Sequence, residues 1–187
     1  MDSKVQFYID QLKRGQILLY PTDTIWGLGC DATNLSSIER IYEIKKRDRN
    51  KPFVLLLSCS SQLNEYVKDL HPRIENLLLY YHKPITIIYQ AGNLLHPSIL
   101  NDDGTIAIRI TKNTFCKQLI EGINRPIVST SANLQGTPFP SSFEEIHEMI
   151  KNEVDVVVDK IFETSRNKTP SILVKVSEEG ELIFLRS

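Results

Sequence analysis

Cysteine is scarce in this 187-residue chain: Cys30, Cys59 and Cys116 are odd in number, far apart and free of any CxxC spacing. That pattern fits a reducing compartment better than a disulfide framework, and the three thiols are expected to be reduced and buried as small hydrophobes. Long apolar runs are absent as well. The first residues, Met1-Asp2-Ser3-Lys4-Val5-Gln6, lack the apolar core of a signal peptide, and no stretch has the length of a membrane span. A soluble, cytoplasmic protein with no membrane partner is expected. Neither charge sign dominates: 22 Lys+Arg oppose 23 Asp+Glu, so no global field draws the chain to nucleic acid. Missing too are GxxxxGK[ST], GxSxG and HExxH, which removes the P-loop and two hydrolase signatures. The four histidines, His71, His82, His96 and His147, have no ligand spacing, and no metal site is expected.

What is present is enough apolar content, 41%, to bury one sizeable core, and the chain reads as one domain over 1–187. Val5, Ile9 and Leu12 predict a helix from Lys4 to Arg14, stopped by Gly15. A second helix starts near Ser36 or Ser37, carries Ile38, Ile41 and Ile44, and runs out in Lys45-Lys46-Arg47. Further helices are expected over Ser60–Leu70, Pro72–Tyr80 and Thr114–Glu121. Ser142 and Glu145 have capping-box spacing ahead of Ile146, Met149 and Ile150 and predict another. Strands are expected at Gln16–Tyr20, Phe53–Leu57, Ile85–Tyr89, Thr105–Ile110, Pro126–Ser129, Val154–Val158, Ile172–Val176 and Leu182–Leu185. Interleaved helices and strands without a repeat argue for an α/β fold, a mixed sheet covered by helices.

Three segments carry polar groups in useful places. Gly27-Leu28-Gly29-Cys30-Asp31-Ala32 fits GxGxxA, but it neither follows a strand directly nor opens a helix, so the glycines are read as turn glycines. Lys45-Lys46-Arg47-Asp48-Arg49-Asn50-Lys51-Pro52 places five cations in seven positions. Such a loop clamps an anion, or is a solvated basic helix end facing the helix dipole. Pro126-Ile127-Val128-Ser129-Thr130-Ser131-Ala132-Asn133 is an apolar strand ending in hydroxyls and an amide. Tyr20-Pro21-Thr22-Asp23-Thr24 repeats that pattern. Both sit where α/β sheets hold ligands, and both also suit ordinary turns.

Taken in order, these segments resemble the YrdC/Sua5 family of threonylcarbamoyl-AMP synthases, in its short single-domain form, over nearly the whole chain. The run from Tyr20 to Gly29 is similar to the family's YPT[DE]TxYGLG opening, with Trp26 in the aromatic place. Lys45-Lys46-Arg47 matches KxR, and Ser131-Ala132-Asn133-Leu134-Gln135-Gly136 matches SANxSG. Thr105-Ile106-Ala107-Ile108-Arg109 resembles TVAVR, Ser171-Ile172-Leu173-Val174 a late STVV-like strand, and Leu185-Arg186 the terminal arginine. Departures fall at Tyr81-His82-Lys83-Pro84-Ile85-Thr86, where the family has WPGPLT, at Thr111-Lys112-Asn113-Thr114, which lacks the usual proline and HP pair, and at Phe139, where a nucleotide-contacting serine is common.

The resemblance implies a YrdC-like twisted mixed sheet with flanking helices and an open basic cavity. It implies L-threonylcarbamoyladenylate synthesis from L-threonine, bicarbonate and ATP with Mg2+, for N6-threonylcarbamoyladenosine in tRNA, with a tRNA threonylcarbamoyl transferase complex as partner. Lys45, Arg47, Lys51, Thr105, Ser131, Asn133 and Arg186 would hold ATP, with Lys45 and Arg47 catalytic. Thr24, Arg109, Ser129 and Ser171 would hold threonine, Arg109 its carboxylate. Lys45 and Arg47 are expected to face solvent at a helix end. The alternatives are an RNA-binding module of the same fold and a carbamoyl-adenylate-forming relative such as the module inside hydrogenase-maturation proteins.

Overall fold

Helix α1 (Ser3–Lys13) starts on Asp2, whose carboxylate accepts the Lys4 N–H at 2.9 Å, and stops where Gly15 takes a φ of +78°. The computed structural model describes residues 2–51, 53–164, 169–177 and 181–186. Its other helices are α2 (Leu35–Lys45), α3 (Leu63–Tyr66), α4 (Pro72–Tyr80), α5 (Thr114–Ile123) and α6 (Glu148–Glu153). The strands are β1 (Leu18–Tyr20), β2 (Gly27–Asp31), β3 (Val54–Leu57), β4 (Ile85–Gln90), β5 (Thr105–Ile110), β6 (Ile127–Ser131), β7 (Val156–Val157), β8 (Ile172–Val176) and β9 (Leu182–Arg186).

The described strands form one mixed sheet in the order β7-β1-β2-β6-β3-β5-β4-β8-β9. Alternation along β3 divides its side chains between two cores. Leu55 and Leu57 join Ile38, Ile41 and Tyr42 of α2 on one face, while Leu56 joins Ile9 and Leu12 of α1 and Leu119 and Ile120 of α5 on the other. This is the α/β sheet covered by helices that the sequence predicts. Strands β2, β6, β3 and β5 are neighbours in the sheet, so Gly27, Ser129, Ser131, Val54 and Arg109 line one cavity together with residues of the β1–β2 connection.

Four local readings change. The glycines of 27–31 are strand glycines, not turn glycines: β2 pairs antiparallel with both β1 and β6 and is buried along its whole length. A Cβ at Gly29 would lie 2.5 Å from the Val128 carbonyl oxygen and 2.7 Å from the Tyr20 ring. Because one of those neighbours is backbone, Gly29→Ala is expected to cost about 3 kcal/mol, checked by urea unfolding; an unchanged midpoint would contradict this packing.

The helix expected over Ser60–Leu70 is a 3-10 turn (Ser60–Gln62) and one α-turn, α3. The chain leaves it to pair with the end of β4, where Lys68 donates to the Gln90 carbonyl at 3.1 Å and Gly92 to that of Tyr66 at 2.8 Å. The helix expected from Ser142 begins six residues later, at Glu148. Glu145 does accept a backbone N–H, that of Ser141 at 2.7 Å, but Phe143 is turned inward against Trp26, and His147 caps α6 instead. Of the cysteines, Cys30 and Cys116 are buried as expected, whereas Cys59 is exposed beside Ser61.

Candidate functional site

A cavity of about 270 Å³ is lined by residues of β2, β3, β5 and β6 and of the β1–β2 connection. Eight of the eleven residues singled out by the sequence line it: Thr24, Arg47, Arg109, Ser129, Ser131, Asn133, Ser171 and Arg186. Its described wall thus carries three guanidinium groups and no carboxylate.

Arg109 stands one residue before the end of β5, 6% exposed. One of its terminal nitrogens donates to the Thr24 hydroxyl at 3.1 Å, and the other lies 3.3 Å from the Asp23 carboxylate. Asp23 also accepts the Lys112 N–H at 3.2 Å and the Thr111 hydroxyl at 3.3 Å. Asp23, unassigned in the sequence, is therefore the clamp behind Arg109. Its signal was its place between two threonines of the opening motif. Ser171 bonds the Thr86 hydroxyl at 2.6 Å, and Arg186 donates two bonds to the Ser171 carbonyl, at 3.1 and 2.8 Å. Burial and the neighbouring Arg109 charge hold the Arg186 guanidinium below its ordinary pKa. Like charges held this close favour an anion between them.

Helix α2 sets the other wall. Its terminal turn puts Lys46 in the left-handed region, φ +49°, and the Arg47 N–H returns to the Tyr42 carbonyl at 2.9 Å. That reversal sends the two side chains in different directions. Arg47 turns to the cavity, its guanidinium 5.3 Å from the Phe53 ring centre and its Nε on the Lys51 carbonyl at 2.7 Å. Lys45 turns inward.

The expectation that Lys45 faces solvent is corrected here: it is 2% exposed. Its Nζ donates to the Ser131 carbonyl and, at 2.5 Å, to that of Asn133, with the Asn133 side-chain oxygen at 3.4 Å. Three donors meet three acceptors, so Lys45 pins the end of β6 from behind while Ser131 and Asn133 face the cavity, joined by a 2.5 Å bond. Burial first, then the Arg47 charge, lower the Lys45 pKa to about 7.

Two further assignments do not reach the cavity. Lys51 is exposed, 3.4 Å from Asp48. Thr105 is buried at the opposite end of β5, where its hydroxyl donates to Asp103 at 2.6 Å and accepts from Asn101 at 2.9 Å, closing the preceding turn. Pro52, the last residue of the basic segment, lies outside the described residues.

The family model for the Sua5/YciO/YrdC domain, described as Telomere recombination, matches residues 10–187. The chain belongs to the Sua5/YciO/YrdC family. A relative named threonylcarbamoyl-AMP synthase, from Vibrio cholerae, is 30% identical over 158 residues, covering 83% of this chain and 84% of its own. The Sua5 structure of Pyrococcus abyssi, solved in complex with L-threonine, superposes with a TM-score of 0.85 at 24% identity. That likeness covers 97% of this chain but only 53% of the longer archaeal one. YciO of Escherichia coli superposes with a TM-score of 0.83 at 22% identity, over 98% of this chain and 88% of its own. At those identities the two structures establish the fold. At the rim of the cavity Phe139 is 40% exposed. No described helix is long and apolar enough to cross a membrane.

Proposed function

We propose that this chain is an L-threonylcarbamoyladenylate synthase, a nucleotidyltransferase that joins L-threonine, bicarbonate and ATP into threonylcarbamoyl-AMP and releases pyrophosphate. The observation that carries the reading is the cavity wall, with three arginines, a row of hydroxyls and no acid among its described residues. Its supports are membership of the family and the name of the Vibrio relative, matched over most of both chains.

In this reading Arg109 takes the threonine carboxylate, with Thr24, Ser129 and Ser171 around the rest of the amino acid. Arg47, Ser131, Asn133 and Arg186 face the nucleotide. Threonine's amine and bicarbonate condense to a carbamate with loss of water. A carbamate oxygen attacks the α-phosphorus, and the bond to the β-phosphate oxygen breaks as pyrophosphate leaves. Neither step needs a protein nucleophile. Holding two anionic reactants together and meeting the charge of the departing pyrophosphate with guanidinium groups supply the rate.

Magnesium belongs to the substrate in this account. Among the described residues no cluster of three His, Cys, Asp or Glu is placed to hold a metal, and Asp23 is already engaged by Arg109, Thr111 and Lys112. In this reading Mg2+ enters with the ATP phosphates. The product is the activated donor for an adenosine of tRNA, which makes a tRNA-modifying transferase in the cytoplasm the partner and tRNA an indirect one.

Mass spectrometry of the reaction with isotope-labelled bicarbonate tests the proposal. The label is expected in a threonylcarbamoyl adenylate. An unlabelled adenylate, or none, would overturn it.

A further inference from the structure

Among the described residues the cavity wall contains three aromatic rings, and one of them is available to a ligand. Trp26 is 2% exposed and packs against Phe143, with ring centres 5.0 Å apart. Phe53 is 3% exposed, stacked on Tyr42 at 4.3 Å and covered by the Arg47 guanidinium. Phe139 is 40% exposed and lines the cavity beside Pro138. It sits between two prolines, of which Pro140 is buried. A proline on either side fixes one φ before the ring and restricts the backbone of Phe139 itself, so the ring is carried on a stiff arm anchored on its far side. Leaving a large apolar side chain in water at a binding cavity has a cost that a ligand surface would recover. The arginines of the wall suit phosphate and carboxylate oxygens, whereas the flat apolar ring suits the one flat apolar part of ATP.

We propose that Phe139 is the platform on which the adenine of ATP stacks, making it a nucleotide-binding residue. The inference rests on the synthase reading for the presence of ATP. Stacking tolerates any purine, so discrimination between adenine and guanine nucleotides is expected to be weak at this position.

The test titrates the full chain calorimetrically with ATP and with inorganic tripolyphosphate, which has the charge but no base. Phe139→Ala is expected to weaken ATP binding by about 5- to 150-fold and to leave tripolyphosphate unchanged, and Phe139→Trp is expected to restore ATP affinity. In threonine-dependent turnover the KM for ATP should rise by the same factor while the KM for threonine holds. Equal weakening of both anions would assign Phe139 a merely structural role and overturn the proposal. Unchanged ATP affinity in Phe139→Ala would overturn it too, as would a wild-type chain that binds ATP no better than tripolyphosphate. A wild type that binds ATP through Phe139 but makes no adenylate would instead defeat the synthase reading and leave the platform standing.

Discussion

Arg109→Met is expected to abolish threonine-dependent turnover and to cost about 3–5 kcal/mol of stability, because it leaves the Asp23 carboxylate buried without its cation. Both effects follow from one geometry. The guanidinium is held by Asp23 at 3.3 Å and by Thr24 at 3.1 Å, at the cavity wall. The two effects separate in a double variant. Asp23→Asn combined with Arg109→Met removes both charges and is expected to recover most of the stability, because an amide is far less costly to bury than an unpaired carboxylate. Turnover should stay lost, since Arg109, the group that takes the carboxylate of threonine in this account, is gone. Urea unfolding and pyrophosphate release on the same samples check this. A single variant as stable as the wild type, or a double variant that recovers activity, would remove Arg109 from the threonine site.

Lys45→Met is expected to slow pyrophosphate release by about a hundred-fold, through the end of β6 that Lys45 holds in place. Its stability signature depends on pH. The unfolded lysine has an ordinary pKa of 10.5, and burial lowers the folded value to about 7. Below the folded value both states carry the proton, and the wild type bears the full penalty of a buried charge. As pH rises from there toward the unfolded value, the folded state holds fewer protons than the unfolded one, so wild-type stability climbs by up to about 1.4 kcal/mol per pH unit. Lys45→Met lacks that climb. Unfolding at about pH 5 and about pH 9 should show the variant losing ground against the wild type as pH rises. Parallel stability profiles would show that the amine is not buried against the Ser131 and Asn133 carbonyls. Arg47→Ala, at the half-buried cavity wall, is expected to lose turnover while keeping the fold.

The contrast between Lys45 and Arg47 marks what could be read without coordinates. Periodicity placed α1, α2, α4 and α5 within a few residues, because their apolar stripes and caps are local features. The site residues were gathered by the resemblance of their motifs to the family's, and eight of the eleven line one cavity. Which way a side chain points after a helix end depends on a single left-handed residue, Lys46, and charge alone favours solvent for both neighbours. Strand β2 escaped for a related reason: glycines read locally as turns, and only the close approach of Val128 and Tyr20 shows why the centre of the sheet requires them. Thr105 matched its motif by sequence, yet the length of β5 separates it from Arg109. Asp23 lay unassigned inside a recognised motif because its role is a contact across the fold to Arg109.

The central claim concerns what the cavity joins. The most direct measurement is pyrophosphate release by the purified chain with MgATP, omitting threonine or bicarbonate in turn. The account predicts release only when both are present. Release that needs neither, or tight RNA binding with no release under any condition, would contradict the synthase and leave the family fold with another function.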